Sequence, residues 1–253
     1  MVRKKLIQNG VGGEADFRWR GQEVSRIEGF SDAVFGFAIT LLVVSLEVPK
    51  TSTELLSMMR GFVAFALCFF LLFQVWFHQY RFFRRYGLQD NYILWLNALL
   101  LFVILFFVYP LKFLLSYTIN QFTDAGINVR LPDGTFEPAI KAAHAPTLMS
   151  VYGLGFAAVF CTFALLNYHA YRKRAELGLS ELEVFETRIS IQQNVLNALF
   201  ALISILIALV SEPRNAGLAG IAYFLIFPAV LIHNWIMGKR RRRLKQLSDG
   251  AGA

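Results

Sequence analysis

Six long apolar stretches separated by short clusters of charge lay out this chain. The first is the most regular. After Arg26-Ile27-Glu28-Gly29-Phe30-Ser31-Asp32, the run from Ala33 to Leu46 has only Thr40 and Ser45 as side-chain hydrogen-bonding residues, and it closes at Glu47 and Pro49. At ~1.5 Å per residue, a helix over 27–48 is about long enough to cross the hydrocarbon of a bilayer. The later runs predict further spans over about 55–79, 90–114, 147–169, 191–210 and 215–237. The predicted fold is all-α, a polytopic membrane protein of six transmembrane helices. A polar, glycine-containing segment, 1–25, precedes the membrane domain of 26–238, and a basic tail, 239–253, follows it. The leading segment is expected to be mobile until about Trp19, whose ring can rest at the headgroups. The longest interruption is 115–146, an extracytoplasmic loop in which P-D-G-T reads as a turn and I-N-V-R-L as a short strand or ordered loop. Ser180 with Glu183 reads as a capping box opening the fifth helix.

Composition agrees with a membrane protein. Hydrophobic residues make up 56% of the chain and charged residues 17%, and the 25 Phe exceed what one soluble core would use. The opening M-V-R-K-K-L-I-Q-N-G is too polar for a signal peptide, so the first span is expected to serve as the insertion signal. Net charge is +8, and its placement is informative. Of the 25 Lys and Arg, 19 fall in the leading segment through Arg26, the 81–85 turn, the 172–188 connection and the tail. That asymmetry places both termini in the cytoplasm and makes a multi-pass cell-membrane protein the expected location. The tail's K-R-R-R-R is expected to set topology and touch anionic lipid, with no nucleic-acid partner. Cys68 and Cys161 lie inside apolar segments and read as small hydrophobes. No phosphate-binding loop, no H-E-x-x-H, no paired metal ligands and no T-V-G-Y-G filter is present, so neither an enzyme nor a carbonyl-filter potassium channel is indicated, and no cofactor is expected.

Two stripes share the first helix. Phe30, Val34, Phe37, Leu41, Val44 and Val48 recur at spacings of three and four, and Ala33, Gly36 and Thr40 form a second stripe of small side chains. One reading backs the small side onto the helix's own bundle and presents the large residues elsewhere; the other takes both stripes as packing seams. Asp32 at the edge of an apolar run should be paired. Arg26 lies six residues upstream, and Trp76, His78, Trp95 and Asn97 fall at the same ends of the next two spans. One hydrogen-bonded cluster is therefore expected there, with Arg26 donating to Asp32 and Trp76 or His78 adding an N–H. Such a cluster locks three helices together, or senses protons through His78. Asn194 and Asn197, three apart and fairly deep, are expected to bond between helices or else line a path.

Arg26-Ile27-Glu28-Gly29-Phe30-Ser31-Asp32 followed by A-V-F-G-F-A-I-T-L-L-V resembles the R-x-x-x-F-S-D signature of the prokaryotic TMEM175 family of potassium channels. The likeness continues through W-F-H in the second span and L-N-A-L-L-L-F-V-I-L-F-F-V-Y-P in the third, covering about 20–115. The resemblance implies a homotetramer with cytoplasmic termini, the first helix of each subunit lining the pore, and potassium ions passing down their gradient. It places the apolar constriction on Phe37, Leu41 and Val44 and a contribution to ion selection on Thr40. It assigns Arg26, Ser31, Asp32, Trp76, His78 and Asn97 to an interhelical network. Phe37 departs from the Ile or Leu usual at its layer. Two other classes compete with a channel: a secondary transporter using Asn194, Asn197 and His169, and a non-conducting membrane scaffold.

Overall fold

Glycine, proline and short capping pairs decide where the apolar runs become helices. The computed structural model describes residues 17–44, 49–122, 128–130, 134–215 and 217–250. Helix α1, Arg26–Val44, opens on a reciprocal pair. The Ser25 N–H donates to Glu28 Oε1 at 2.9 Å and the Glu28 N–H to Ser25 Oγ at 3.2 Å, which satisfies two donors around the start of the helix. Residues 45–48, the expected end of the first span, lie outside the described residues.

The second run folds as two helices, α2 (Ser52–Arg60) and α3 (Phe62–Tyr86), with Gly61 between them. Gly87 ends α3 in the left-handed conformation, at φ 62°, and returns its N–H to the Phe83 carbonyl. Helix α4, Asn91–Phe122, runs past the expected end at 114 and contains Pro110. Beyond it, β1 (Asn128–Arg130) pairs antiparallel with β2 (Phe136–Pro138), Val129 opposite Glu137, so I-N-V-R-L does supply a strand. Helix α5 is Ala145–Arg172 and α6 is Glu181–Val210, the latter opened by the expected Ser180–Glu183 capping box. The sixth run is again divided, into α7 (Leu218–Phe224) and α8 (Ile226–Gly250), and α8 carries on through the basic residues of the tail.

Among the described residues, six stretches are long and apolar enough to span a membrane. They are poorly covered by the subunit itself: 33% of the apolar window of α5 is buried, and 6% of that of the sixth stretch. Apolar surface left open on this scale needs lipid or another subunit against it, and the chain is a multi-pass membrane protein.

The shared core lies where α1, α3, α4 and α5 meet. Phe35, Ala38 and Leu42 of α1 pack with Cys68 and Leu72 of α3, Leu100, Ile104 and Val108 of α4, and Phe163 and Leu166 of α5. Helices α5 and α6 form the most extensive pair, and glycines let α5 approach both α6 and α4. A Cβ on Gly153 would lie 2.5 Å from Ile205 of α6, and one on Gly155 2.3 Å from the Phe107 ring of α4. Small residues give this close approach in a bilayer, where apolar burial alone does not drive helices together.

Candidate functional site: an open helix face and the clamp behind it

At about 100° per residue, the buried positions of α1 occupy one sector. Glu28, Ser31, Phe35, Ala38 and Leu42 form it, with Ala38 and Leu42 fully buried. The large apolar stripe lies to one side. Phe30, Phe37 and Val44 are open, at 64%, 57% and 70% exposure, while Val34 and Leu41 are half-buried along the edge of the core. The small stripe faces outward as well: Thr40 is exposed, and a Cβ on Gly29 or Gly36 would meet nothing within 4 Å. The expectation that the small side backs onto the bundle is therefore overturned. The bundle takes Ser31, Phe35, Ala38 and Leu42 because the polar bonds of Ser31 fix the rotation of α1. Thr40 Oγ1 donates to the Gly36 carbonyl at 2.9 Å, its own helix hiding its hydroxyl.

The expected polar cluster forms with altered membership. Trp76 Nε1 donates to Asp32 Oδ1 at 2.7 Å. Asn97 Nδ2 donates to Ser31 Oγ at 2.9 Å, and Ser31 Oγ donates onward to the Ile27 carbonyl at 2.7 Å. Gln79 Nε2 donates to Asn97 Oδ1. Ser31, Gln79 and Asn97 are each at most 3% exposed, so this row crosses from α1 through α4 to α3 away from solvent, where each bond counts for more than in water.

Three expected members stand apart. Arg26 is exposed and, among the described residues, gives Asp32 no hydrogen bond. Residues six apart on a helix lie about 120° apart around its axis and ~9 Å apart along it, whereas Trp76 approaches Asp32 from the neighbouring helix. The His78 ring lies against Phe163 of α5, with centroids 5.7 Å apart, away from the Asp32 row. Trp95 is 73% exposed. Gln79, by contrast, belongs to the row and was missed; the clue was its place one turn from Trp76 in W-F-H-Q. A cleft of about 80 Å³ opens beside the clamp, between Glu28, Asp32, Trp76, Gln79, Tyr80 and Arg84.

A second assembly tightens the same end of the molecule. Residues 17–21 are docked, so Phe17 and Arg18 are held where mobility was expected until about Trp19; residues 1–16 lie outside the described residues. The backbone N–H groups of Arg20 and Gly21 both donate to the Arg84 carbonyl, at 3.0 and 3.1 Å, so closely that a Cβ on Gly21 would lie 2.4 Å from the Phe83 oxygen. Arg20 forms a forked ion pair with Glu183 of α6, at 2.7 and 3.0 Å, and its Nε donates to the Leu177 carbonyl at 2.8 Å. The Arg18 N–H reaches the same carboxylate at 2.8 Å. Phe17 is buried edge-on to Tyr86, whose hydroxyl bonds Thr187 at 2.9 Å. Trp19 rests edge-on against Tyr80. Nearby, Asp90 accepts from His169 at 2.7 Å and from Lys173 at 3.1 Å, with the His169 ring stacked on Tyr92. Partial burial works against the Asp90 charge, but His169, the Ile93 N–H and Lys173 outweigh it and hold the carboxyl down at about 2.

The later polar residues divide between cross-helix bonds, with Gln193 Nε2 donating to Asn234 Oδ1 at 2.5 Å and Gln192 meeting His233 at 3.1 Å, and bonds within one helix. Asn167 and Asn194 each donate to the carbonyl four residues back in their own helix, at 2.8 Å. Among the described residues Asn194 thus makes no bond between helices, and a path through α6 finds no row of open amides there. Asn197 keeps a buried side-chain oxygen with no partner.

The profile described as Endosomal/lysosomal potassium channel TMEM175 matches residues 26–107, which hold α1 and the whole clamp. A "Potassium channel" of Marivirga tractuosa is 38% identical over 247 residues, covering 96% of this chain and 99% of that protein. A potassium channel of Chamaesiphon minutus is 34% identical over 106 residues, 39% of this chain and 52% of that protein. Among solved structures, a variant of the potassium channel MtTMEM175, bound to a nanobody–MBP fusion protein, superposes with TM-score 0.78 at 37% identity, over 90% of this chain and all of the other. A lysosomal potassium-selective channel TMEM175 homolog from Chamaesiphon minutus shares the fold, with TM-score 0.51 at 23% identity over 84% of this chain and 96% of that one. With a relative this similar along nearly its full length, and a signature helix that carries the clamp, the chain belongs to the TMEM175 family.

Proposed function

We propose that this protein is one subunit of a homotetrameric potassium channel that conducts passively across the cell membrane, with both termini in the cytoplasm. The observation that carries the reading is the geometry of α1. One side is locked into the subunit by Ser31, Phe35, Ala38 and Leu42, while an uncharged face bearing Phe37, Thr40 and Val44 is left open. Four such faces around an axis give a closed assembly with an ion path at its centre. Phe37, Leu41 and Val44 then form successive apolar rings, and Thr40 supplies a hydroxyl oxygen between the first two. Rings of this kind block ions by dewetting when narrow and pass a partly hydrated ion when α1 moves outward. Potassium sheds water more easily than sodium, so a modest preference follows without a carbonyl cage. The relatives named as potassium channels support the choice of ion.

Recording from purified protein in planar bilayers tests this. Potassium currents are expected from the wild type, and a polar Leu41→Asn variant should leak or change conductance while remaining tetrameric. Coupled, saturable uptake without unitary currents would move the assignment to a transporter, and electrical silence to a scaffold.

A further inference from the structure

The clamp holds α1 at its cytoplasmic end; the other end of the described helix has a separate hold. Lys112 of α4 places Nζ 3.2 Å from the carbonyl oxygen of Leu42. Leu42 is fully buried on the bundle side of α1, next to Leu41 and two residues before Val44. An ammonium group set among the apolar residues of a membrane helix is costly to place, and a cation near the C-terminal end of a helix also answers its dipole.

The part of α4 that carries Lys112 is itself braced. Pro110 has no N–H, so the hydrogen-bond ladder of α4 lacks a rung at this turn and the segment is a natural bending point. Its carbonyl accepts a hydrogen bond from the Tyr152 hydroxyl of α5 at 2.9 Å. A continuous mechanical link therefore runs from α5 through Pro110 and Lys112 to the backbone beside Leu41.

We propose that Lys112 is a positioning residue for conduction. Its ammonium, steadied by the Tyr152–Pro110 bond, holds the Leu41–Val44 end of α1 back against α4 so that this part of the constriction can stand open. The proposal rests on the reading of α1 as the pore helix. It assigns Lys112 no contact with the ion, because Leu42 lies on the side of α1 turned away from Phe37 and Val44.

Single-channel recording in planar bilayers distinguishes the cases. Lys112→Met is expected to lower open probability by about tenfold, the size of one lost charge-assisted hydrogen bond, with the conductance of the remaining openings unchanged. Lys112→Arg, which keeps a charged donor of sufficient reach, should stay within about twofold of wild type, and Tyr152→Phe should show a smaller loss in the same direction. Unchanged open probability in Lys112→Met overturns the role of Lys112 while leaving the channel reading intact, and so does equal damage from Met and Arg. If Lys112→Met fails to assemble, Lys112→Gln, too short to span the same gap, is tested with the same two outcomes. Silence from the wild-type protein overturns the channel reading and this inference with it.

Discussion

The two halves of the subunit use their polar residues in different ways. In α1, α3 and α4, side chains bond across helices: Ser31 to Asn97, Asn97 to Gln79, Asp32 to Trp76. In α5 and α6, Thr162, Asn167, Ser190 and Asn194 all turn back to the carbonyl four residues earlier in their own helix. In the second half Gly153 lets α5 and α6 approach closely, buried Ser204 donates to the Ala219 carbonyl at 2.9 Å, and further bonds between its helices, Gln192–His233, Gln193–Asn234 and Glu186–Arg241, gather towards the start of α6. A polar row fixes rotation and register, whereas small-residue packing fixes proximity and tolerates sliding. The half that presents the open α1 face is therefore the half whose orientation is most strictly specified.

Glu183 joins the two halves, and its loss should have the largest effect. Glu183→Ala takes the only carboxylate from the partly buried Arg20 guanidinium among the described residues, frees the Arg18 N–H and removes the capping box of α6. A cost of about 3–5 kcal/mol is expected, read as a fall in denaturation midpoint in detergent. Next comes the direct contrast between the halves. Asn97→Leu takes the acceptor from the buried Gln79 amide and leaves Ser31 bonded only to its own helix, and should cost about 2–3 kcal/mol. Asn194→Leu removes only a bond to its own helix and should cost below about 1 kcal/mol. Equal losses in the two variants would erase the distinction. Between them falls Gly155→Ala, whose new methyl displaces the Phe107 ring, at about 1–3 kcal/mol.

Much of this was legible in the chain. The spans follow from runs of apolar residues, and the Ser180–Glu183 capping box from four consecutive letters. The Asp32–Trp76 bond follows from polar residues placed at matching ends of neighbouring spans, whereas Ser31 enters the network only through the family resemblance. S-R-I-E at 25–28 is an equally plain capping box that the signature motif around it obscured. Other features were not accessible by such means. Arg20 meets Glu183 across 163 positions, and no periodicity encodes a contact at that range. The rotation of α1 was misjudged because periodicity identifies stripes without saying which one faces the bundle. The bonds of Ser31 to α4 and of Asp32 to α3 decide it, and both are tertiary. The break at Leu225, by contrast, has a plain signal in Pro228, which cannot donate to the Phe224 carbonyl and sits in the first turn of α8.

The smallest effect concerns acid. Asp90 lies outside the membrane helices and joins the start of α4 to the end of α5 through His169 and Lys173. Its carboxyl is held at about 2, below the ordinary 3.8. A depressed carboxylate contributes stability that is present in full above its unfolded pKa and is lost as pH falls through the folded one, so the window lies between about pH 4 and pH 2. Asp90 and Lys173 are each about 30% exposed in their side chains, and solvent screening limits the contribution to about 1 kcal/mol or less. Asp90→Asn should therefore lower the midpoint slightly at neutral pH and flatten its fall between pH 4 and pH 2. An undiminished acid slope in that variant would shift the origin of the slope to other carboxylates, with Glu183 the first to test because it links the same two halves.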